Sequence, residues 1–507
     1  MTHIEPMAEL LRSGVPLTPH EPWPCAIVDI GGWQNMAAQV ASGRVTLLSL
    51  WGSTDRVHAA LRQEMDVAMV ALECPSGRFP SIGAVHLPAI RLERSICDLF
   101  GFVADGAHDL RPWLDHGQWG VRHPMSSVPH TERRAAPAYE FLPAEGESLH
   151  VIPVGPVHAG IIEPGHFRFT ANGEAVVRLE ERLGYAHKGI ESLMQGTDLE
   201  NGMRLASRSS GDSTVAYALA FARAVEAALG IQPPPRAHYV RAIMAELERL
   251  ANHCGDFGAI CNDATFTILH ANCAVLKEHV LRTAAKCFGH RLMMDRVQIG
   301  GAGIDLSPNG VSMLRTLISV FRRTFPRLVS LYDASASVQD RTVSTGVLSK
   351  ELAAQFGCGG FVGRASGRDF DVRKAVPYPP YDALRFEVPV RADGDVNARI
   401  WVRILEIEQS LSLIEQLIDQ IPNGPARAEF ASVTGHNRFG AALVEGFRGD
   451  IFVWVQIAPD GALARCHLRD PSWFQWPLLE AAIEGNIVAD FPICNKSFNC
   501  SYAGHDL

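Results

Sequence analysis

Long helical periodicity dominates the second half of the chain. Between Ile404 and Ile421 the segment ILEIEQSLSLIEQLIDQI carries apolar residues at 404, 407, 411, 414, 418 and 421. Steps of three and four align them in one stripe along a helix, and such a stripe has to be buried against another element. Three further segments carry helical spacing: HYVRAIMAELERLANHCGDFGAI from His238, HANCAVLKEHVLRTAAKCFGHRLMMDRVQIGG from His270, and SMLRTLISVFRRTFPRLVSLYD from Ser312. Pro235 suits the entry to the first, because a helix start does not need the missing N–H. Pro326 predicts a kink or a break in the last, where that N–H is needed. Together the four segments predict a helical bundle core.

Strand text surrounds this core. From Cys25 to Val103, apolar runs such as AIVDI, RVTLLSLWG and DVAMVALEC alternate with helical text, which predicts a small α+β sheet domain. Between 120 and 149 the chain turns polar and carries Pro124, Pro129, Pro137 and Pro143, the composition of a linker or a draped arm. VIPVGPVHAGIIEPGHFRFTANGEAVVRLEERLGYAHKGIESLM, from Val151, reads as two short strands joined through Pro164 and Gly165, then a turn, then a helix. Near the end, IFVWVQI and LARCHLR flank the turn PDG and predict a hairpin. The expected fold class is α+β: a small sheet domain over 1–119, an arm over 120–149, and a mainly helical domain with peripheral hairpins over 150–507. At 507 residues and 47% apolar, the chain can bury cores of that size.

A formal charge of −9 and the lack of long basic runs argue against a nucleic-acid or anionic-membrane binder. The opening MTHIEPMAELLRSG has neither a basic start nor an apolar core, so no export signal is read and a cytoplasmic setting is expected. The most apolar stretch, 214–231, contains Arg223 and Glu226 and is followed by Pro233, so membrane attachment is expected to come through partners. No two of the 11 cysteines stand three apart. Without a Cys-x-x-Cys pair or a cysteine-rich cluster motif, electrons have to enter from another chain. Cys254, Cys261, Cys273 and Cys287 lie in apolar helical text and are expected to be packing residues. No glycine-rich dinucleotide loop is read.

Several ordered segments resemble one family. LERSICDLFGFVADGAHDLRPWLDHGQWGVRHPM, from Leu92 to Met125, is similar to the signature of the C subunit of complex I. GPVHAG, GYAHKGIESL, LERLANH, GHRLMMDRVQIGG and EGFRGD resemble segments of the D subunit of complex I and of the large subunit of energy-converting, formate hydrogenlyase-like [NiFe]-hydrogenases. The resemblance implies a domain similar to the complex I C subunit, fused to a domain similar to a hydrogenase large subunit. It implies that His158, in a hairpin loop, and His187, Lys188 and Glu191, at a helix start, line an acceptor cavity. A solvated hairpin is the plainer reading of His158 and His166. Arg448 and Asp450 are implied to border the same cavity, the plainer reading being Arg448 paired with Glu445 or Asp450 at the surface.

The departures from that family matter more than the matches. In the hydrogenases an Arg-x-Cys-Gly-x-Cys segment and a C-terminal Cys-x-x-Cys hold nickel and iron. RSSGDST at 208–214 and NCSYAGHDL at 499–507 put Ser210, Ser213, Ser501 and Gly504 at those positions. Nickel and low-spin iron need soft thiolates, whereas a serine hydroxyl is hard and stays protonated near neutral pH. A register shift of one residue brings Cys500 onto a ligand position and leaves the other ligands absent. No bound metal is expected, and the four positions become cavity lining beside the new carboxylate of Asp212. The chain stops three residues past Gly504, so no extension for removal after nickel insertion is read.

The resemblance as a whole implies a redox-module subunit of a membrane-associated complex, peripheral on the cytoplasmic face of the inner membrane. The acceptor would be of quinone type, and any NADH oxidation would belong to a partner. Implied partners are an iron–sulfur small subunit similar to the B subunit of complex I, a ferredoxin-like subunit and membrane ion-pumping subunits, with the iron–sulfur clusters in those partners. Asp212 is expected to approach His158, whose ordinary pKa suits proton supply. Two other readings stay open: a non-catalytic coupling scaffold and a genuine hydrogenase large subunit.

Overall fold

The N-terminal sheet has no solvent face, and that sets the architecture. In the computed structural model, which describes residues 6–127, 139–159, 162–430 and 435–507, its strands pair in the order Val15–Pro16, Cys25–Val28, Asp66–Glu73, Arg56–Gln63, Thr46–Gly52. Successive side chains of a strand point to opposite faces. Leu48, Ala60, Val67 and Met69 enter a core shared with Tyr217 and Trp454. Leu47, Ala59, Ala68 and Val70 enter a second core with Trp33 and Phe100. Burial on both faces explains why the strand text is a near-continuous apolar run rather than an alternation.

Long helices form the body: Thr214–Leu229, Pro235–Asp263, Thr267–Phe288, Pro308–Asp333 and Val396–Gln420. Pro235 sits in the first turn of its helix. Ile404, Ile407, Leu411, Ile414 and Ile418 are buried, and Ile421 is partly buried. No break occurs at Pro326, because Pro308–Asp333 runs through it as one helix. Phe321, Phe325, Leu328 and Tyr332 are buried along its flank, and that packing outweighs the single backbone bond that proline removes.

Two other expectations are corrected. The segment from Val151 forms three strands, not two: Leu149–Val154, His166–Asn172 and Ala175–Arg182, with His166–Asn172 in the middle. The charges of AVVRLEER hide the third strand in the sequence. Glu180 is paired with Arg111 at 2.6 Å, and Glu181 shares Arg91, at 3.3 Å, with Glu480 at 2.7 Å while burial and Glu480 raise its pKa, so the strand hides both carboxyls among partners from elsewhere in the chain. The C-terminal hairpin, Asp450–Ile457 with Leu463–Arg469, forms as predicted but is not peripheral. Arg438–Glu445 and His20–Glu21 extend it to four strands. It packs against helix Thr214–Leu229, and Trp454 reaches Trp51 of the N-terminal sheet at 5.6 Å between ring centres.

The described part of the arm lies on the body: the Leu142 N–H donates to Glu180 at 2.6 Å and Arg94 donates to the Tyr139 hydroxyl at 3.0 Å. Pro129 and Pro137 fall outside the described residues. No helix among the described residues is long and apolar enough to cross a membrane.

Candidate functional site

The two serine-bearing segments meet. Ser210 follows helix Leu199–Ser207, and the tail follows helix Phe491–Phe498. Asn499 turns the tail through a left-handed conformation at φ 48°, which asparagine adopts more readily than most residues. Ser501 then caps the short helix Tyr502–Asp506, its Oγ accepting from the Gly504 N–H at 2.9 Å. The hydroxyls of Ser210 and Ser501 lie 3.1 Å apart. Ser213 joins them through Arg448, whose Nη1 donates to its hydroxyl at 3.2 Å.

An ion pair fills this convergence. Nη1 and Nη2 of Arg448 donate to the two oxygens of Asp212 at 2.7 and 2.6 Å, a forked geometry that favours arginine over lysine. Ser210 donates to the same carboxylate at 2.7 Å, and Nε of Arg448 donates to the Asn499 carbonyl at 2.5 Å. The Arg448 side chain is 6% exposed and that of Asp212 is 41% exposed. Burial opposes ionisation of Asp212, yet the adjoining guanidinium prevails and holds the carboxyl below its usual range. Surface pairing of Arg448 with Glu445 or Asp450 does not occur. Glu445 is buried on Arg364 at 2.9 Å, and Asp450 on Arg469 at 2.5 Å.

Gly504 has no room for a side chain. A Cβ there would stand 2.5 Å from Oδ2 of Asp470, an oxygen held in place by the Tyr217 hydroxyl at 2.7 Å. The donors at the four positions are therefore hydroxyls already bonded to protein groups, plus a glycine against a carboxylate. Such a set does not fit nickel and low-spin iron. Behind the loop, Glu248 accepts from the Val215 and Ala216 N–H groups at 2.7 and 3.1 Å. Burial nevertheless pushes its carboxyl up to about 8.

Among the described residues, the remaining candidates make no hydrogen bond to this ion pair. His158 stands 3.4 Å from the Tyr502 hydroxyl, and burial lowers its pKa. Arg448 engages the Asp212 carboxylate, and no hydrogen bond joins it to His158 among the described residues. His187 and Glu191 line a separate cavity of about 330 Å³, walled also by Trp51, Trp119, His467 and Trp473. Lys188 links the two regions: its Nζ donates to the carbonyls of Arg208 and Ser209 at 3.2 and 2.8 Å.

Glu191 is held by partners that the sequence did not announce. His467 Nδ1 lies 2.9 Å from Glu191, Arg465 lies 2.8 Å from it, and His467 Nε2 lies 2.7 Å from Ser49. Burial favours the neutral acid, but Arg465 and His467 hold Glu191 down at about 2. Ser49 and His467 are separated by 418 positions, and each sits in strand text whose pattern reports burial alone. Asn499 and Asp470 were missed for the same reason, since neither carries a local motif. Cys254, Cys261, Cys273 and Cys287 are buried free thiols.

The sequence matches the family described as Respiratory-chain NADH dehydrogenase, 30 Kd subunit, over residues 32–133. It matches Nickel-dependent hydrogenase over 188–261 and Respiratory-chain NADH dehydrogenase, 49 Kd subunit, over 265–440. Formate hydrogenlyase subunit 5 of Escherichia coli (strain K12) is 31% identical over 446 residues, covering 86% of this chain and 78% of that protein. The NADH-quinone oxidoreductase C/D subunit of Bacteroides thetaiotaomicron is 31% identical over 414 residues, covering 77% and 78%. The Carbon monoxide-induced hydrogenase of Rhodospirillum rubrum is 30% identical over 356 residues, covering 69% and 98%. The chain therefore belongs to the family of oxidoreductase subunits that unites hydrogenase large subunits of the formate hydrogenlyase type with the fused C/D subunits of NADH-quinone oxidoreductase.

Proposed function

We propose that this chain is the redox-module subunit of a membrane-associated complex and passes electrons from an iron–sulfur partner to a quinone-type acceptor without a NiFe centre. The observation that carries this reading is the Asp212–Arg448 pair set among Ser210, Ser213, Ser501 and Gly504. Hard, protein-bonded hydroxyls and a glycine replace the thiolates of the hydrogenase set. The cavity of His187 and Glu191 supplies aromatic walls for a flat acceptor. His158, against Tyr502, and the Asp212–Arg448 pair supply groups that exchange or hold protons as the acceptor takes up two electrons and two protons. Iron–sulfur clusters belong to an iron–sulfur small subunit and a ferredoxin-like subunit, and ion-pumping subunits hold the assembly at the cytoplasmic face of the inner membrane.

A coupling scaffold with no turnover of its own is the second reading. It is favoured by the hydrogen bonds of Arg448, which are all directed to Asp212, Ser213 and Asn499 and leave none for an acceptor. The test uses the complex extracted from native membranes in mild detergent. Elemental analysis is expected to find no stoichiometric nickel, and reduction of a short-chain quinone is expected to slow, or to shift in pH dependence, in Asp212→Asn and His158→Ala with assembly intact. Stoichiometric nickel with hydrogen uptake overturns the proposal. Unchanged turnover and pH profile in both variants leaves the scaffold.

A further inference from the structure

A second cavity, of about 280 Å³, holds a buried cation with no counter-ion. Tyr139 and Phe141 of the arm line it together with His116, His166, Tyr185 and Arg182, the last residue of strand Ala175–Arg182. Tyr185 is 38% exposed, which leaves the cavity open to solvent, whereas Arg182 is 4% exposed. The other arginines stacked on Trp113 or Tyr139 carry carboxylates of their own. Arg91 pairs with Glu181 and Glu480, Arg94 with Asp109, and Arg111 with Asp109 and Glu180. Arg182 has none among the described residues. Its Nη1 donates to the Trp113 carbonyl and its Nη2 to the Asp115 carbonyl at 3.5 Å. Burial pushes its pKa down to about 10, so the group stays charged near neutral pH. A buried charge without a partner is unfavourable, and an anion that reaches it is held.

The guanidinium also selects the shape of that anion. Its carbon lies 4.3 Å from the centre of the Tyr139 ring, and this stacking fixes its plane. Nε donates to no described residue, and Nη2 makes only the one long bond. Nε–H and the second Nη2–H stand side by side on one edge, with the spacing of the two oxygens of a carboxylate. Asp115 lines the cavity too, unpaired with Arg182, its carboxylate accepting from the Gly117 N–H at 2.6 Å. Its charge opposes a second negative charge on the occupant. The volume lies just below the range of about 300 to about 1,000 Å³ of sites for larger ligands. We propose that this cavity binds a small monocarboxylate, its two oxygens accepting from Nε and Nη2 of Arg182 and its short body resting on the rings of the arm.

Calorimetric titration of the full-length protein tests this near neutral pH, with acetate and sulfate as probes and sodium chloride holding the ionic strength constant. A single acetate is expected to bind per chain with a Kd of about 1 mM, and sulfate about tenfold more weakly. Arg182→Met keeps the bulk of the side chain and removes the charge, and should abolish acetate binding. Arg182→Lys keeps the charge without the fork and should bind acetate about tenfold more weakly; it carries the test if the methionine variant does not fold. Asp115→Asn should narrow the difference between the two probes. No acetate binding to the folded wild type, sulfate bound as tightly as acetate, or acetate affinity unchanged in the Arg182 variants overturns the proposal. Binding is read without turnover, so the result is independent of any quinone-linked activity.

Discussion

Arg448 grips Asp212 with two parallel hydrogen bonds of 2.7 and 2.6 Å where the two serine-bearing segments come together. The pair unites a hairpin loop with a helix-connecting loop 236 positions away. It gives the convergence a rigid organic centre, and the charges of both partners depend on each other.

Replacing Asp212 with Asn should destabilise the protein by about 1–2 kcal/mol. Breaking a wholly buried pair costs about 3–5 kcal/mol, and solvent at the half-open carboxylate reduces that figure. Denaturant midpoints of variant and wild type give the difference. Because the folded carboxyl is held below its unfolded value, the contribution is present above the unfolded pKa and is lost on acidification. The gap between the two proteins should therefore narrow from about pH 5 to about pH 2. A gap independent of pH would contradict the charge-based account.

Gly504→Cys should cost about 1–3 kcal/mol through overpacking against Asp470. Thermal denaturation measures it, and Gly504→Ala should show most of the loss. Combined with cysteines at 210, 213 and 501, the variant should still take up no stoichiometric nickel by elemental analysis. An unchanged melting temperature in Gly504→Cys would show that Asp470 yields.

Glu248 should make stability fall as pH rises. Burial lifts its folded pKa to about 8, so the folded state keeps a proton that the unfolded chain releases near its ordinary value. The stabilisation is complete below the unfolded pKa and disappears as pH climbs through the folded one. Glu248→Gln should flatten this slope between about pH 5 and about pH 9, read from denaturant midpoints. A wild type and variant with parallel profiles would mean that the two backbone N–H groups keep Glu248 ionised.

The Ser49–His467–Glu191 chain should be structurally costly to interrupt. Glu191→Gln leaves Arg465, with a side chain 4% exposed, without its carboxylate, and a loss of about 3 kcal/mol is expected. Ser49→Ala leaves one nitrogen of buried His467 unbonded and should cost about 1–2 kcal/mol. Additive losses in the double variant would show that the three residues do not act as a chain.

Helical periodicity was enough to place the stripe of Ile404, Ile407 and Leu411, because a 3.6-residue period is a local property of the chain. The strand Ala175–Arg182 escaped detection because its glutamates look like surface residues until Arg91 and Arg111, from another element, are seen beside them. Helix continuity at Pro326 likewise depended on the aromatic side chains packed around it.

The sequence by itself determined the family, the helical core, the apolar two-faced strands and the residues Ser210, Ser213, Ser501 and Gly504, since each of these is written in residue identity and short-range spacing. Only the tertiary structure decided what surrounds those residues. It set Arg448 on Asp212 rather than on Glu445, put Asp470 against Gly504, set His158 against Tyr502, and joined Ser49 to His467 across the two halves of the chain. Charge pairing in a buried interior depends on distances of a few ångströms between residues hundreds of positions apart, and no local pattern encodes them.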